Sequence, residues 1–136
     1  MSLERACSGS PHWANQQYHA LFQTAGSGIE RLALVVDGSV DLVAFLVARH
    51  LAPEWELENI VVAASARRMG WGKQLLERLL MHARETNSEA VFLEVRESNL
   101  AARTLYEHSG FAQTGRRKSY YTNPDEDALL YRCTLP

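Results

Sequence analysis

Residues 60–76 read Ile60-Val61-Val62-Ala63-Ala64-Ser65-Ala66-Arg67-Arg68-Met69-Gly70-Trp71-Gly72-Lys73-Gln74-Leu75-Leu76. An apolar, β-branched run ends in a loop of small and basic residues, and two glycines then lead into a leucine-rich stretch. The order is strand, loop, helix N-terminus. A helix start carries amide N–H groups without intrahelical partners and a partial positive charge, which together attract anions. Arg67, Arg68 and Lys73 add formal charge, and glycines at 70 and 72 let a phosphate approach the backbone with no Cβ in the way. The P-loop pattern GxxxxGK[ST] does not fit: Gln74 follows Lys73 without the hydroxyl that holds Mg²⁺, and Arg67 stands where the first glycine belongs. The dinucleotide pattern GxGxxG fails at its third position, which is Leu75. What fits is R-x-x-G-x-G over 67–72, against the competing reading of an ordinary solvated helix start.

Working outward, Leu75, Leu76, Leu79, Leu80 and Ala83 recur at helical spacing and form one apolar stripe, with Asn87 as the stop. Upstream, residues 31–36 and 42–47 flank Asp37-Gly38 as a hairpin, and residues 54–62 make a third strand of the same meander. Residues 14–24, with Trp13, Tyr18, Leu21 and Phe22, read as a short helix. Downstream, residues 91–95 form a central strand with apolar residues on both faces around a single acid. Ser98 or Asn99 caps a helix running to His108, and Gly110 is its left-handed terminator. Residues 111–121 and 128–135 are strands around an Asn123-Pro124-Asp125 turn. The sequence of elements specifies an α+β (mixed α/β) sheet with flanking helices, in one domain over 1–136.

Composition bounds the function. The chain has 136 residues, 46% apolar and 22% charged, with 14 basic and 16 acidic side chains for a net charge of −2. That supports a packed core and excludes a disordered or disulfide-framework chain. The balance argues against a strongly basic nucleic-acid binder, and no apolar run approaches the ~20 residues of a membrane span. Cys7 and Cys133 stand at opposite ends without CxxC spacing, which fits a reducing compartment better than a disulfide. The histidines at 12, 19, 50, 82 and 108 make no HxxxH pair, so no metal is expected. Residues 1–11 lack signal-peptide grammar, and a cytoplasmic location is expected.

Three ordered motifs carry a family resemblance. The R-x-x-G-x-G loop is similar to the pyrophosphate loop of the GCN5-related N-acetyltransferase (GNAT) superfamily. Val95 to Phe111, with Asn99, Ala102, Leu105, Tyr106 and Gly110, resembles its second signature, V-x-x-x-N-x-x-A-x-x-L-Y-x-x-x-G-F. Arg116-Arg117-Lys118-Ser119-Tyr120-Tyr121 with Glu126-Asp127-Ala128, and Leu57-Glu58-Asn59-Ile60-Val61-Val62, look like the RimI-type branch, which acetylates protein N-termini, typically of ribosomal protein S18. The resemblance covers residues 55–135. It implies the GNAT fold: a mostly antiparallel sheet with a parallel central pair. Pro11-His12-Trp13 is similar to the family's Pro-Trp region, but only ten residues precede it. The family's first strand and most of its first helix are therefore expected to be missing.

The reaction implied is direct acetyl transfer from acetyl-CoA to an amine, which needs a base, an oxyanion donor and an acid. Glu94 interrupts an apolar strand, where an unpaired carboxylate is costly, and matches the family's proton acceptor; its competing role is a salt bridge to a neighbouring Arg. Glu58 is the rival base, used by relatives with small-molecule acceptors, and otherwise a substrate contact or a surface carboxylate. Tyr106 is the implied acid. The implied cofactor contacts are Ile60, Val61, Val62, Arg67, Arg68, Gly70, Trp71, Gly72, Lys73 and Asn99, with main-chain N–H at or beside Val62 as oxyanion donor. Trp71 has no derivable individual role, and Asn99 doubles as a helix cap. Tyr120 and Tyr121 are expected in an acceptor groove, with Glu126 and Asp127 as counter-charges for a cationic N-terminus. The implied partner is an acceptor protein N-terminus such as that of S18, with no nucleic acid or membrane. A small-molecule amine acetyltransferase and a CoA-binding module without turnover are the alternatives.

Overall fold

Alternation along the strands decides which face of the sheet is covered. The computed structural model of the chain describes residues 17–24, 30–37, 42–64 and 70–136. The described strands are β1 (Gln17–Thr24), β2 (Glu30–Asp37), β3 (Leu42–Leu51), β4 (Glu54–Val62), β5 (Ala90–Arg96), β6 (Ala112–Tyr121) and β7 (Glu126–Thr134), with helices α1 (Trp71–Glu85) and α2 (Leu100–His108). They form one sheet in the order β1-β2-β3-β4-β5-β7-β6, antiparallel except where β4 meets β5. Leu32, Leu34 and Val36 pair with Ala48, Leu46 and Ala44; Val91, Leu93 and Val95 pair with Cys133, Tyr131 and Leu129. All of these are buried, with Trp55 and Leu57 between them, so one face of the sheet is continuous core.

α1 lies on that face across β3, β4 and β5. Its stripe of Leu75, Leu76, Leu79, Leu80 and Ala83 is buried as the spacing predicts, and Trp71 extends it by a turn. Each buried leucine contributes roughly 1.5–3 kcal/mol. The helix ends at Thr86, followed by Asn87 at φ 58°. α2 starts at the predicted cap: Asn99 Oδ1 accepts the amide N–H of Ala102 at 3.1 Å. It stops at Gly110, whose φ of 98° suits glycine, and the Phe111 amide returns to the Tyr106 carbonyl.

Two expectations change. Residues 17–24 are a strand, not a helix, paired with β2 from Gln17–Asp37 to Thr24–Glu30. The apolar spacing of that segment fits a helix turn, but Tyr, Phe and Thr also suit strands, and a full ladder on β2 decides between them. This strand fills the sheet edge at which a strand was expected to be missing. Cys133 is buried and free; Cys7, His12 and Trp13 lie outside the described residues.

Candidate active site

The parallel ladder is short. Glu54, Trp55 and Glu56 of β4 pair with Ala90, Val91 and Phe92 of β5, and no pairing continues beyond them. On its other side β4 keeps its partner β3, but the register slips: Val47 pairs with Asn59 and Ala48 with Leu57, leaving Glu58 as a bulge. A bulge bends and twists the strand that carries it. It also exchanges the faces, so Trp55 and Leu57 point to the core before it while Ile60 and Val62 pack against the core after it. The bend and the missing ladder open a cleft between β4 and β5.

Two cavities occupy this cleft. The larger, about 920 Å³, runs from Ile60, Val61 and Val62 to the first turn of α1, with Ala102, Leu105 and His108 of α2 opposite. The smaller, about 270 Å³, holds Glu58 of β4, Glu94 and Arg96 of β5, Asn99 and Tyr106 of α2, and Tyr121 of β6. Ile60 and Ala102 line both, so the two spaces meet there.

The larger cavity suits an extended ligand with an anionic end. Gly70, Trp71, Gly72 and Lys73 form its helix-terminal end, with Gly70 as the N-cap at φ 84° and no acidic residue in the first turn. The glycines serve different purposes. A side chain at Gly70 meets nothing within 4 Å but forces an L residue into the left-handed region, whereas a Cβ at Gly72 would sit 3.1 Å from Leu105 Cδ2. Gly72 thus lets α1 pack against α2. Trp71, without a role from sequence, is a buried core residue whose edge reaches the cavity wall. Arg67 and Arg68 lie outside the described residues.

In the smaller cavity, Glu94 and Tyr106 come from different sides. Glu94 alternates with Leu93 and Val95, so it points away from the helices, and its side chain is 20% exposed. Tyr106 sits on the helical side, 6% exposed, with its ring 6.2 Å from that of Tyr131. Burial first, and the neighbouring Tyr121 second, push the Tyr106 hydroxyl up to about 12. It therefore stays protonated, a hydrogen-bond donor, across the physiological range.

The carboxylates are all partnered. Glu94 Oε2 forms an ion pair with Arg117 Nε at 2.8 Å. Glu58 takes Arg31 Nε at 3.0 Å and has Arg49 Nε at 3.7 Å. Glu126 and Asp127, expected as counter-charges for an incoming amine, are engaged within the protein. Glu126 accepts from the Ser98 amide and from Arg96 Nη1 at 3.1 Å; Asp127 accepts from the Ser119 amide at 2.8 Å and Arg116 Nη1 at 2.6 Å. Those bonds hold both carboxyls below their usual range. Tyr121 lines the cavity beneath the Arg96 guanidinium, 4.2 Å from its ring centre, and Tyr120 stands outside it, 49% exposed and edge-on to Tyr121 at 5.1 Å.

This cleft belongs to a known design. Residues 3–111 match the acetyltransferase (GNAT) family. The chain belongs to that family. The bS18-alanine N-acetyltransferase of Haemophilus influenzae is 32% identical over 91% of this chain and 85% of its own length. The Escherichia coli ribosomal-protein-S18-alanine N-acetyltransferase structure superimposes with a TM-score of 0.70 at 28% identity, over 98% of this chain and 83% of that one. An acetyltransferase structure from Bacillus anthracis, in complex with acetyl coenzyme A, gives a TM-score of 0.72 at 26% identity over 78% and 63%. This GNAT chain is an N-acetyltransferase of the RimI type.

Sequence reading missed several residues of the GNAT cleft. Arg96, Leu105 and His108 line it without having been singled out. Leu105 was within reach, since it belongs to the Asn99–Tyr106 motif. The Arg117–Glu94 contact was not, because it depends on β6 and β5 both registering on β7. Among the described residues no helix is long and apolar enough to cross a membrane.

Proposed function

We propose that this chain uses acetyl-CoA to acetylate the α-amine of a protein N-terminus, that of ribosomal protein S18 or one like it, by direct transfer within one cytoplasmic domain. The observation that carries the reading is the shared cavity of Glu94 and Tyr106, adjoining the larger cavity at Ile60 and Ala102. The larger cavity fits the cosubstrate. Its volume takes an extended arm, Ile60 to Val62 offer a strand edge, and the first turn of α1 with Lys73 suits the pyrophosphate. Acetyl-CoA supplies the acyl group as an activated thioester.

An α-amine has a pKa near ~8 and enters largely as ammonium. The acceptor reaches the smaller cavity from the Glu94 side, past Tyr120 and Tyr121, which serve as groove walls. Glu94 takes the ammonium proton, directly or through one water, and frees the lone pair for attack. Tyr106, held protonated from the opposite side, donates to the departing sulfur. Asn99 fixes the start of α2 and, lining the same cavity, contacts the cofactor arm.

Glu94 is preferred to Glu58 as the base because their counter-ions differ. Glu58 is tied to two arginines on β2 and β3, whereas Glu94 faces one arginine that is 58% exposed. Initial rates on a peptide with a free N-terminus test the assignment. Glu94→Gln is expected to lower turnover on the order of 10²-fold or more, and Glu58→Gln to retain most of it. The reverse order would move the base to Glu58 and favour a small-molecule acceptor.

A further inference from the structure

Arg117 is the cation on the proposed base, and its setting differs from that of its neighbour. Arg116 reaches both oxygens of Glu97 at 2.9 Å and Asp127 at 2.6 Å, pinning β6 to the sheet end. Arg117, 58% exposed, makes one ion pair among the described residues, to Glu94. It lies where the pairing of β6 with β7 becomes irregular, between Arg117 and Tyr121, two residues before Ser119 at φ 50°. The ring of exposed Tyr120 stands 5.5 Å from its guanidinium carbon, a contact made at the same time as the Glu94 pair and one that survives loss of that pair. The other charged side chains facing this cavity are committed elsewhere: Glu58 to Arg31 and Arg49, and Arg96 to Glu126 and the Tyr121 ring.

We infer that Arg117 fills, in the acceptor-free enzyme, the place on Glu94 that the acceptor's ammonium group takes, so that the acceptor binds by exchanging one cation for another. The inference rests on Glu94 being the base. An ammonium group in hydrogen-bond reach of Glu94 Oε2 meets the Arg117 guanidinium at the same oxygen, and repulsion between the two cations disfavours the shared arrangement. Exchange leaves the half-buried carboxylate paired at both ends of the step, while the released arm keeps the Tyr120 ring and turns its charge to water. Apparent acceptor affinity is then reduced by the fraction of enzyme in which Arg117 holds the site. Arg117 is a specificity-setting residue, not a catalytic one.

The test is a split of KM from kcat, using a peptide with a free N-terminus at saturating acetyl-CoA. Arg117→Gln is expected to lower the peptide KM about fivefold, the size of one partly exposed ion pair, with kcat within about twofold of wild type. Arg117→Lys, which keeps the cation, is expected between the two. Methylguanidinium is expected to inhibit Arg117→Gln competitively against the peptide and to inhibit wild type far less, because in wild type the seat is already taken. An unchanged or raised KM in a folded Arg117→Gln, or a loss confined to kcat, overturns the inference. Glu94→Gln run alongside separates the failures: if it retains full turnover, the assignment of the base falls; if it is inactive while Arg117→Gln shows no KM gain, this inference alone falls.

Discussion

Glu94 and Tyr106 line one cavity from opposite faces of the sheet. In a continuous sheet, residues facing opposite ways are separated by the backbone layer. Here they meet because β4 pairs with β5 only as far as Glu56 and Phe92, and because the bulge at Glu58 turns β4 away. In the proposed reaction the gap would admit two reactants from two sides, the thioester from the helical side and the amine from the other. Proton removal and proton donation would then fall to different walls.

Tyr106→Phe removes the hydroxyl and little else, since the ring keeps its packing beside Phe111 and Tyr131. Turnover is expected to fall on the order of 10²-fold, with acetyl-CoA affinity nearly unchanged. Stopped-flow or steady-state turnover alongside calorimetric cofactor binding checks this. Normal turnover would eliminate Tyr106 as the acid.

The same hydroxyl makes an alkaline stability prediction. Its ordinary value of 10.0 rises to about 12 in the folded chain. The folded state therefore holds the proton more tightly than the unfolded one, and stability is full below about pH 10 and lost as pH climbs toward 12. Two units correspond to roughly 2–3 kcal/mol at most. Urea melts at pH 9 and pH 11 are expected to show a steeper loss in wild type than in Tyr106→Phe, which lacks the titrating group.

Gly70 and Gly72 are separable. Gly70→Val puts a β-branched residue at φ 84° in the floor of the larger cavity and is expected to weaken acetyl-CoA on the order of tenfold or more. Gly70→Asn, which tolerates that conformation, is expected to lose less. Gly72→Val acts through Leu105 and is expected to lower the melting temperature as well. Equilibrium binding and thermal melts distinguish them, and unchanged cofactor affinity in Gly70→Val would remove the loop assignment.

How much of this was legible follows from the range of each interaction. The α1 stripe, the Asn99 cap, the Gly110 stop and the alternating strands are local, and the chain spells them out within a turn or two. The edge strand β1 was not legible, because its spacing fits either period and only pairing with β2 decides. The Glu58 bulge leaves no mark within β4 itself; it appears only against β3. The partner of Glu94 was foreseen as a type, a neighbouring arginine, but its identity as Arg117 needed the register of three strands. Likewise the spare role of Gly72, as a notch for Leu105, depends on how two helices meet.

Arg116 joins β6 to the loop after β5 through Glu97 and to β7 through Asp127. Its pair holds the Glu97 carboxyl below the usual carboxylate range; at Asp127 the Ser119 amide does most, with Arg116 adding to it. Groups lowered in this way stabilise the fold above their unfolded values and lose that contribution as pH falls through their folded ones. Arg116→Gln is expected to melt lower at neutral pH and to show a flatter decline in acid than wild type. Thermal melts from pH 7 down to pH 3 check both, and parallel profiles would show that the pair contributes nothing measurable.

The most direct test of the central claim is mass spectrometry of peptides incubated with the enzyme and acetyl-CoA. One peptide carries a free α-amine in an S18-like N-terminal sequence, a second has that amine blocked but retains a lysine, and a panel of small amines runs alongside. Acetylation confined to the free α-amine is the predicted result. Transfer to the lysine or to small amines alone, with the free N-terminus untouched, would contradict it.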